Sequence, residues 1–163
     1  MIVGRLTALL LTASVAVVGC TTSSPSDVRA AAVYEGVVRW FADRRSDDPE
    51  PLPVFIEARG EGANIDLAVQ AELIDLSVEY ATARFIDARE EAVAEDEEGA
   101  GALTVRDGGV LIRLEPVVEG GRPVSLEVDE YITETNLRTL RFTLSEQGDT
   151  WHVVGDPVDV TSP

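Results

Sequence analysis

Val124-Ser125-Leu126-Glu127-Val128-Asp129-Glu130-Tyr131-Ile132-Thr133 is the stretch on which the fold turns. Val124, Leu126, Val128 and Ile132 alternate with Ser125, Glu127, Asp129, Tyr131 and Thr133. A period of two puts the apolar set on one face of a strand, the mark of a half-buried antiparallel sheet. Glu130 interrupts the apolar row and is expected near a bulge or a sheet edge. The pattern continues in both directions. Upstream, Val110, Ile112 and Leu114 oppose Arg113 and Glu115, with Gly120-Gly121 as a two-residue hairpin signal. Downstream, after a turn near Asn136, Leu140, Phe142 and Leu144 extend the inner face. Gln147-Gly148-Asp149 then turns the chain into Trp151 and Val153. Four strands in succession make a meander.

The N-terminal half reads differently. Tyr34, Val37, Val38 and Phe41 recur at helical spacing, which predicts a helix over about 28–45 with Asp27 as N-cap and Trp40 widening its face. Arg44-Arg45 suits the negative end of the helix dipole, and the run Asp47-Asp48-Pro49-Glu50-Pro51 stops it. A strand is expected over 53–58, a glycine loop over 59–63, and a second helix from an Asn64 or Asp66 cap to about Ser77. Leu67, Ala71 and Ile74 mark the expected buried stripe of that helix. A second strand follows over 80–87, with Ala83 and Phe85 on one face. The predicted class is α+β: two helices from the N-terminal half packed on a curved, mainly antiparallel sheet that ends in a four-stranded meander.

Ahead of this domain stands a different kind of segment. Arg5 precedes Leu6–Val18, which carries no charge and is almost wholly apolar. Thirteen residues of helix reach about 20 Å, short of a hydrocarbon core of about 30 Å. Residues 1–19 therefore read as an export signal rather than a membrane span. Val17-Val18-Gly19-Cys20 resembles a bacterial lipobox, an aliphatic and a small residue before a cysteine. The resemblance implies that Cys20 carries diacylglycerol and begins the mature chain, which then holds no other thiol. Residues 20–27 are the lipid-bearing cysteine and a polar tether, and 28–163 a single α+β domain. The expected location is the outer, extracytoplasmic face of the cell membrane, with the lipid as the membrane contact.

Composition narrows the function classes. Thirty acidic residues face thirteen basic ones, and every basic residue is arginine. Such a surface excludes nucleic acid as an expected partner, since phosphate binding needs a basic footprint. It also gives no electrostatic hold on anionic lipid. The single histidine, His152, alternates with Trp151 and Val153 and should face water. Without a positioned serine or a second soft ligand it makes neither a catalytic triad nor a zinc site. No lysine is present to serve a phosphate loop. The acidic run Glu90, Glu91, Glu95, Asp96, Glu97 and Glu98 lacks the order of a calcium loop and reads as a solvated segment. No cofactor or metal is expected.

Two candidate groups remain. Glu127 and Asp129 share one face and, with Glu130, could serve as acid–base groups over the sheet. Trp40, Phe41, Phe142 and Trp151 either wall a pocket between helix and sheet or form plain core.

Four stretches together resemble small lipoproteins exported by actinobacteria: Val33–Trp40, Arg84–Asp87, Asp107–Ile112 and Gly148–Val154. The resemblance covers most of residues 28–155 and implies an address and a fold; it transfers no activity. The closing Trp-x-Val strand of the meander is also similar to cystatin-like and nuclear-transport-factor-like domains. Those pack helices over a curved sheet and in some cases hold a ligand in its concavity. The expectation is a lipid-anchored, non-catalytic module that binds an envelope protein or a small ligand. The alternative is an enzyme or ligand-binding domain using a pocket over the sheet.

Overall fold

The computed structural model describes residues 23–44, 50–95, 103–118, 120–133 and 136–161. The expected export signal, Cys20 and the acidic residues Asp96, Glu97 and Glu98 lie outside the described residues. Among those described, no helix is long and apolar enough to cross a membrane.

The first helix, α1, spans Pro25–Asp43. It starts three residues earlier than its hydrophobic pattern indicates, because Ser24 rather than Asp27 is the N-cap. The Ser24 Oγ accepts from the Asp27 amide at 3.2 Å, and the Asp27 carboxylate accepts from the Ser24 amide at 2.8 Å. This reciprocal capping box, with Pro25 opening the first turn, satisfies two amides that the helix itself leaves unpaired. Pro25–Asp27, which fell within the expected tether, are therefore helical. Ala31, Val33, Tyr34, Val37, Val38 and Phe41 are buried against the sheet.

Strand β1 (Leu52–Ala58) leads through α2 (Leu67–Ser77) to β2 (Ala81–Phe85), which pairs with β1 in parallel, Leu52 opposite Ala81 and Ile56 opposite Phe85. A parallel return needs a crossover, and α2 supplies it. The chain then forms a small antiparallel hairpin, β3 (Val93–Glu95) with β4 (Leu103–Val105), before β5 (Val110–Leu114) pairs in parallel with the other side of β1. The meander follows: β6 (Val124–Thr133), β7 (Asn136–Gln147) and β8 (Thr150–Val153), each antiparallel to its predecessor. A two-residue strand, β9 (Val158–Asp159), pairs with β7 beyond β8. The main sheet runs β2-β1-β5-β6-β7-β8. The fold is α+β, with both helices in the N-terminal half and a curled sheet that is parallel around β1 and antiparallel through the meander.

Alternation decides which side chains meet the helices. Val54 and Ile56, Val110, Ile112 and Leu114, Val124, Leu126 and Val128, Leu140, Phe142 and Leu144, and Trp151 enter one core with α1 and α2. Residues of opposite parity, Phe55, Leu111 and Tyr131, form a second cluster with Ala92 and Val93 beneath the β3–β4 hairpin. The sheet thus has a covered face and, at one end, a partly covered second face.

Helix α1 lies so close to β8 that a methyl at Gly36 would come within 2.6 Å of the Trp151 carbonyl oxygen. Only a residue without Cβ allows that approach.

Two further readings are corrected. Leu67, Ala71 and Ile74 are not the buried stripe of α2; Val69, Leu73 and Ser77 are. Gly120-Gly121 sits inside a longer connection from residue 115 to 123 rather than forming a two-residue hairpin. In the acidic segment, Arg89–Glu91 make a single 3-10 turn and Glu95 closes β3. Glu130, by contrast, stands where its sequence implied, next to a register shift between Tyr131 and Thr133.

Candidate binding cleft

The meander carboxylates are engaged by arginines. Asp129 is buried, with its side chain 3% exposed. It accepts from Arg59 Nε at 3.1 Å, from Arg113 Nη2 at 2.7 Å and from Thr139 Oγ1 at 2.8 Å. Glu127, two residues along the same face, accepts from Arg59 Nη1 and from Arg141 Nη2, each at 2.8 Å. The Arg59 hydrogen bond, followed by that from Arg141, holds the Glu127 carboxyl below the usual range. Glu130 faces the other way and accepts from Arg138 Nε at 3.0 Å, across the β6–β7 ladder. The structure does bring Glu127 and Asp129 together, but as the anions of an arginine network. General acid chemistry asks for a carboxyl that holds its proton, and cationic neighbours oppose that.

The other sequence candidates fall into place quickly. His152 is exposed and shares a hydrogen bond of 2.9 Å with Thr150 Oγ1. Trp40 meets Phe41 and Phe142 edge-on, with centroids 5.0 and 5.2 Å apart, and Trp151 is buried. These aromatics are core. A polar cluster that sequence reading missed, built on the buried Glu35, lies between α1 and β2. Glu35 accepts from Arg39 Nε at 2.8 Å and from the Tyr80 hydroxyl, while the Arg39 guanidinium lies 4.3 Å from the Tyr80 ring centre. Burial, and then the hydrogen bond to Glu35, push the Tyr80 phenol well above its ordinary range. An i,i+4 Glu–Arg pair on a helix was the available signal; it reads as surface until Tyr80 is seen to cover it.

An open cleft lies elsewhere, at the carboxyl ends of β1 and β2. It holds about 600 Å³ and is walled by Ile56, Ile65, Phe85 and Ile86 and rimmed by Glu57, Asn64, Asp87 and Glu91. The β1–α2 loop shapes one wall. Gly60 and Gly62 take φ of 118° and 69°, values that other residues rarely adopt, and the Ala63 amide closes the turn onto the Gly60 carbonyl at 3.2 Å. Asp66 caps α2 through the Ala68 amide at 2.8 Å, and the Gln70 side chain ties the helix to the Ile65 carbonyl at 2.8 Å. On the opposite wall, Glu91 Oε1 accepts from the amides of Asp87 at 3.1 Å and Ala88 at 3.0 Å. Among the described residues no arginine pairs with Glu57, Asp87 or Glu91, and no three acidic, histidine or cysteine side chains come together as a metal site.

Its place follows from the topology. From β1 the chain crosses one face of the sheet as α2 to reach β2, then crosses the other face as the β3–β4 hairpin to reach β5. The connection that leaves β1 and the one that leaves β2 start side by side and cross opposite faces of the sheet, so the cleft opens outside the carboxyl ends of two parallel strands, where such sheets hold ligands. The Gly60/Gly62 loop was legible only as a turn. What made it a cleft wall was the parallel pairing of β1 with β2, which periodicity alone does not reveal. No family model, no curated protein and no solved structure matches the chain.

Proposed function

We propose that the chain is a lipid-anchored module of the cell envelope, held on the extracytoplasmic face through diacylglycerol on Cys20, that binds an envelope protein or a small ligand and does no chemistry on it. The observation that carries the binding role is the cleft of about 600 Å³ at the carboxyl ends of the parallel strands β1 and β2, a volume in the range of small-ligand sites. The engagement of Glu127, Asp129 and Glu130 by arginines counts against the alternative of an enzyme working over the sheet. The lipid address rests on Val17-Val18-Gly19-Cys20. Two acyl chains give firm anchoring, each buried methylene contributing about 0.8 kcal/mol.

One experiment addresses both halves. The full chain is produced in a lipoprotein-processing bacterium with labelled palmitate, beside Cys20→Ala. The expected result is a labelled, membrane-bound protein and an unlabelled variant that leaves the membrane fraction. The same protein is then screened by NMR against a fragment library. Shifts gathered at Asn64, Ala63 and Asp87 are expected, and their abolition by Asn64→Trp. Lipid label retained on Cys20→Ala would overturn the address. Fragments that gather on the meander face and spare the cleft would overturn the site.

A further inference from the structure

Helix α2 carries apolar side chains on two sides. One side, Val69 and Leu73, faces the core. The other is the set that sequence pattern marked as buried, Leu67, Ala71 and Ile74, and the structure turns it to solvent: Leu67 is 77% exposed and Ile74 44%, with Ala71 exposed between them, and the C-cap residue Val78, 65% exposed, extends the row. At about 100° per residue, positions 67, 71, 74 and 78 fall within one narrow stripe. Single exposed apolar residues are ordinary on a protein surface; a stripe along a whole helix is the surface that partner segments pack against.

The rim of this stripe has one sign. Between Gly60 and Tyr80 the chain has five acidic residues, Glu61, Asp66, Glu72, Asp75 and Glu79, and no basic one. The neighbouring arginines point elsewhere: Arg59 to Glu127 and Asp129, Arg84 to Asp107, and Arg39 to Glu35. Leu67 also lines the cleft, whose rim adds Glu57, Asp87 and Glu91. Stripe and cleft are thus one continuous surface, apolar along its middle and acidic along its edge. A second copy of the chain would bring like charge onto like charge, and an anionic bilayer would do the same.

We propose that this surface receives a cationic amphipathic segment of another protein, a helix with Leu- or Ile-type side chains seated on α2 and Lys or Arg side chains over the acidic rim and into the cleft. The proposal rests on the binding-module reading above and specifies its partner. Charge complementarity selects the occupant, and the apolar stripe sets its register.

The test uses the full chain in nanodiscs of phosphatidylcholine, with empty nanodiscs as the blank. Three peptides of equal length are titrated: an amphipathic Leu/Lys helix, a Gly/Lys peptide of the same charge, and an amphipathic Leu/Glu helix. The Leu/Lys helix is expected to bind, with the other two weaker by on the order of tenfold or more. Leu67→Ser/Ile74→Ser/Val78→Ser should remove most of that preference, and these exposed positions leave the fold intact. Glu72→Gln/Asp75→Asn should weaken binding and flatten its salt dependence. Equal binding of the Leu/Lys and Gly/Lys peptides, or a serine variant that binds as well as the parent, would overturn the proposal. Failure of all peptides while small fragments still occupy the cleft would sink this proposal and leave the binding-module reading standing. Failure of both would sink the two together.

Discussion

At the scale of single residues, Asp129 shows how a charge can be held inside a sheet. Its carboxylate is met by two guanidinium groups and a hydroxyl, and the same arginine, Arg59, bridges it to the more exposed Glu127. Removing one member of a buried ionic group leaves its partners desolvated and unpaired, and the cost is of order 3 kcal/mol. Asp129→Ala is therefore expected to lower unfolding stability by about 3 kcal/mol in urea titrations. Glu127→Ala, at a position solvent already reaches, should cost far less. Equal losses would mean that the network acts as a surface ion pair throughout. The alternation of the β6 sequence placed both carboxylates on one face, and that much was legible. Their partners were not, because Arg59 precedes Asp129 by seventy residues and reaches it only after β5 has inserted between them.

At the scale of the element, α2 is the instructive case. Its sequence is apolar on both sides, so spacing alone supports two different buried faces, and Leu67/Ala71/Ile74 is as regular a stripe as Val69/Leu73. What decides between them is the angle at which the crossover from β1 to β2 presents the helix to α1 and the sheet. Leu73→Ala is expected to cost about 3 kcal/mol, the price of a core cavity, whereas Ile74→Ala should fall within about 0.5 kcal/mol of the parent. Chemical denaturation of the two variants side by side checks this. The meander was readable because its long strands alternate over most of their length, Glu130 being the one break in the apolar row of β6. β3, β4 and β9 were not, having only two or three residues each, too few for a period to register. The start of α1 was misplaced for another reason: Ser24 and Asp27 are both good capping residues, and a capping box uses both.

At the scale of the molecule, one core runs from α1 through every strand of the main sheet to Trp151 in β8. Such continuity predicts a single cooperative transition. Tryptophan fluorescence, which reports Trp40 on α1 and Trp151 on β8, should give the same urea midpoint as far-ultraviolet circular dichroism. Separate midpoints would mean that the βαβ half and the meander unfold independently. The candidate cleft also belongs to this scale. It was not legible in any motif, because it is made by strand order, and strand order is a property of the whole sheet.

The closeness of Gly36 to the Trp151 carbonyl has a bearing on timing. The first helix cannot take its final seat until the eighth strand exists, and β1 waits for Val110–Leu114 before its second edge is filled. A chain threaded N-terminus first across a membrane would meet these conditions only when nearly all of it had emerged. Contacts that close so late in the order of synthesis slow premature folding. The same geometry that locks the finished domain thus leaves the unfinished chain loose until β8 is made.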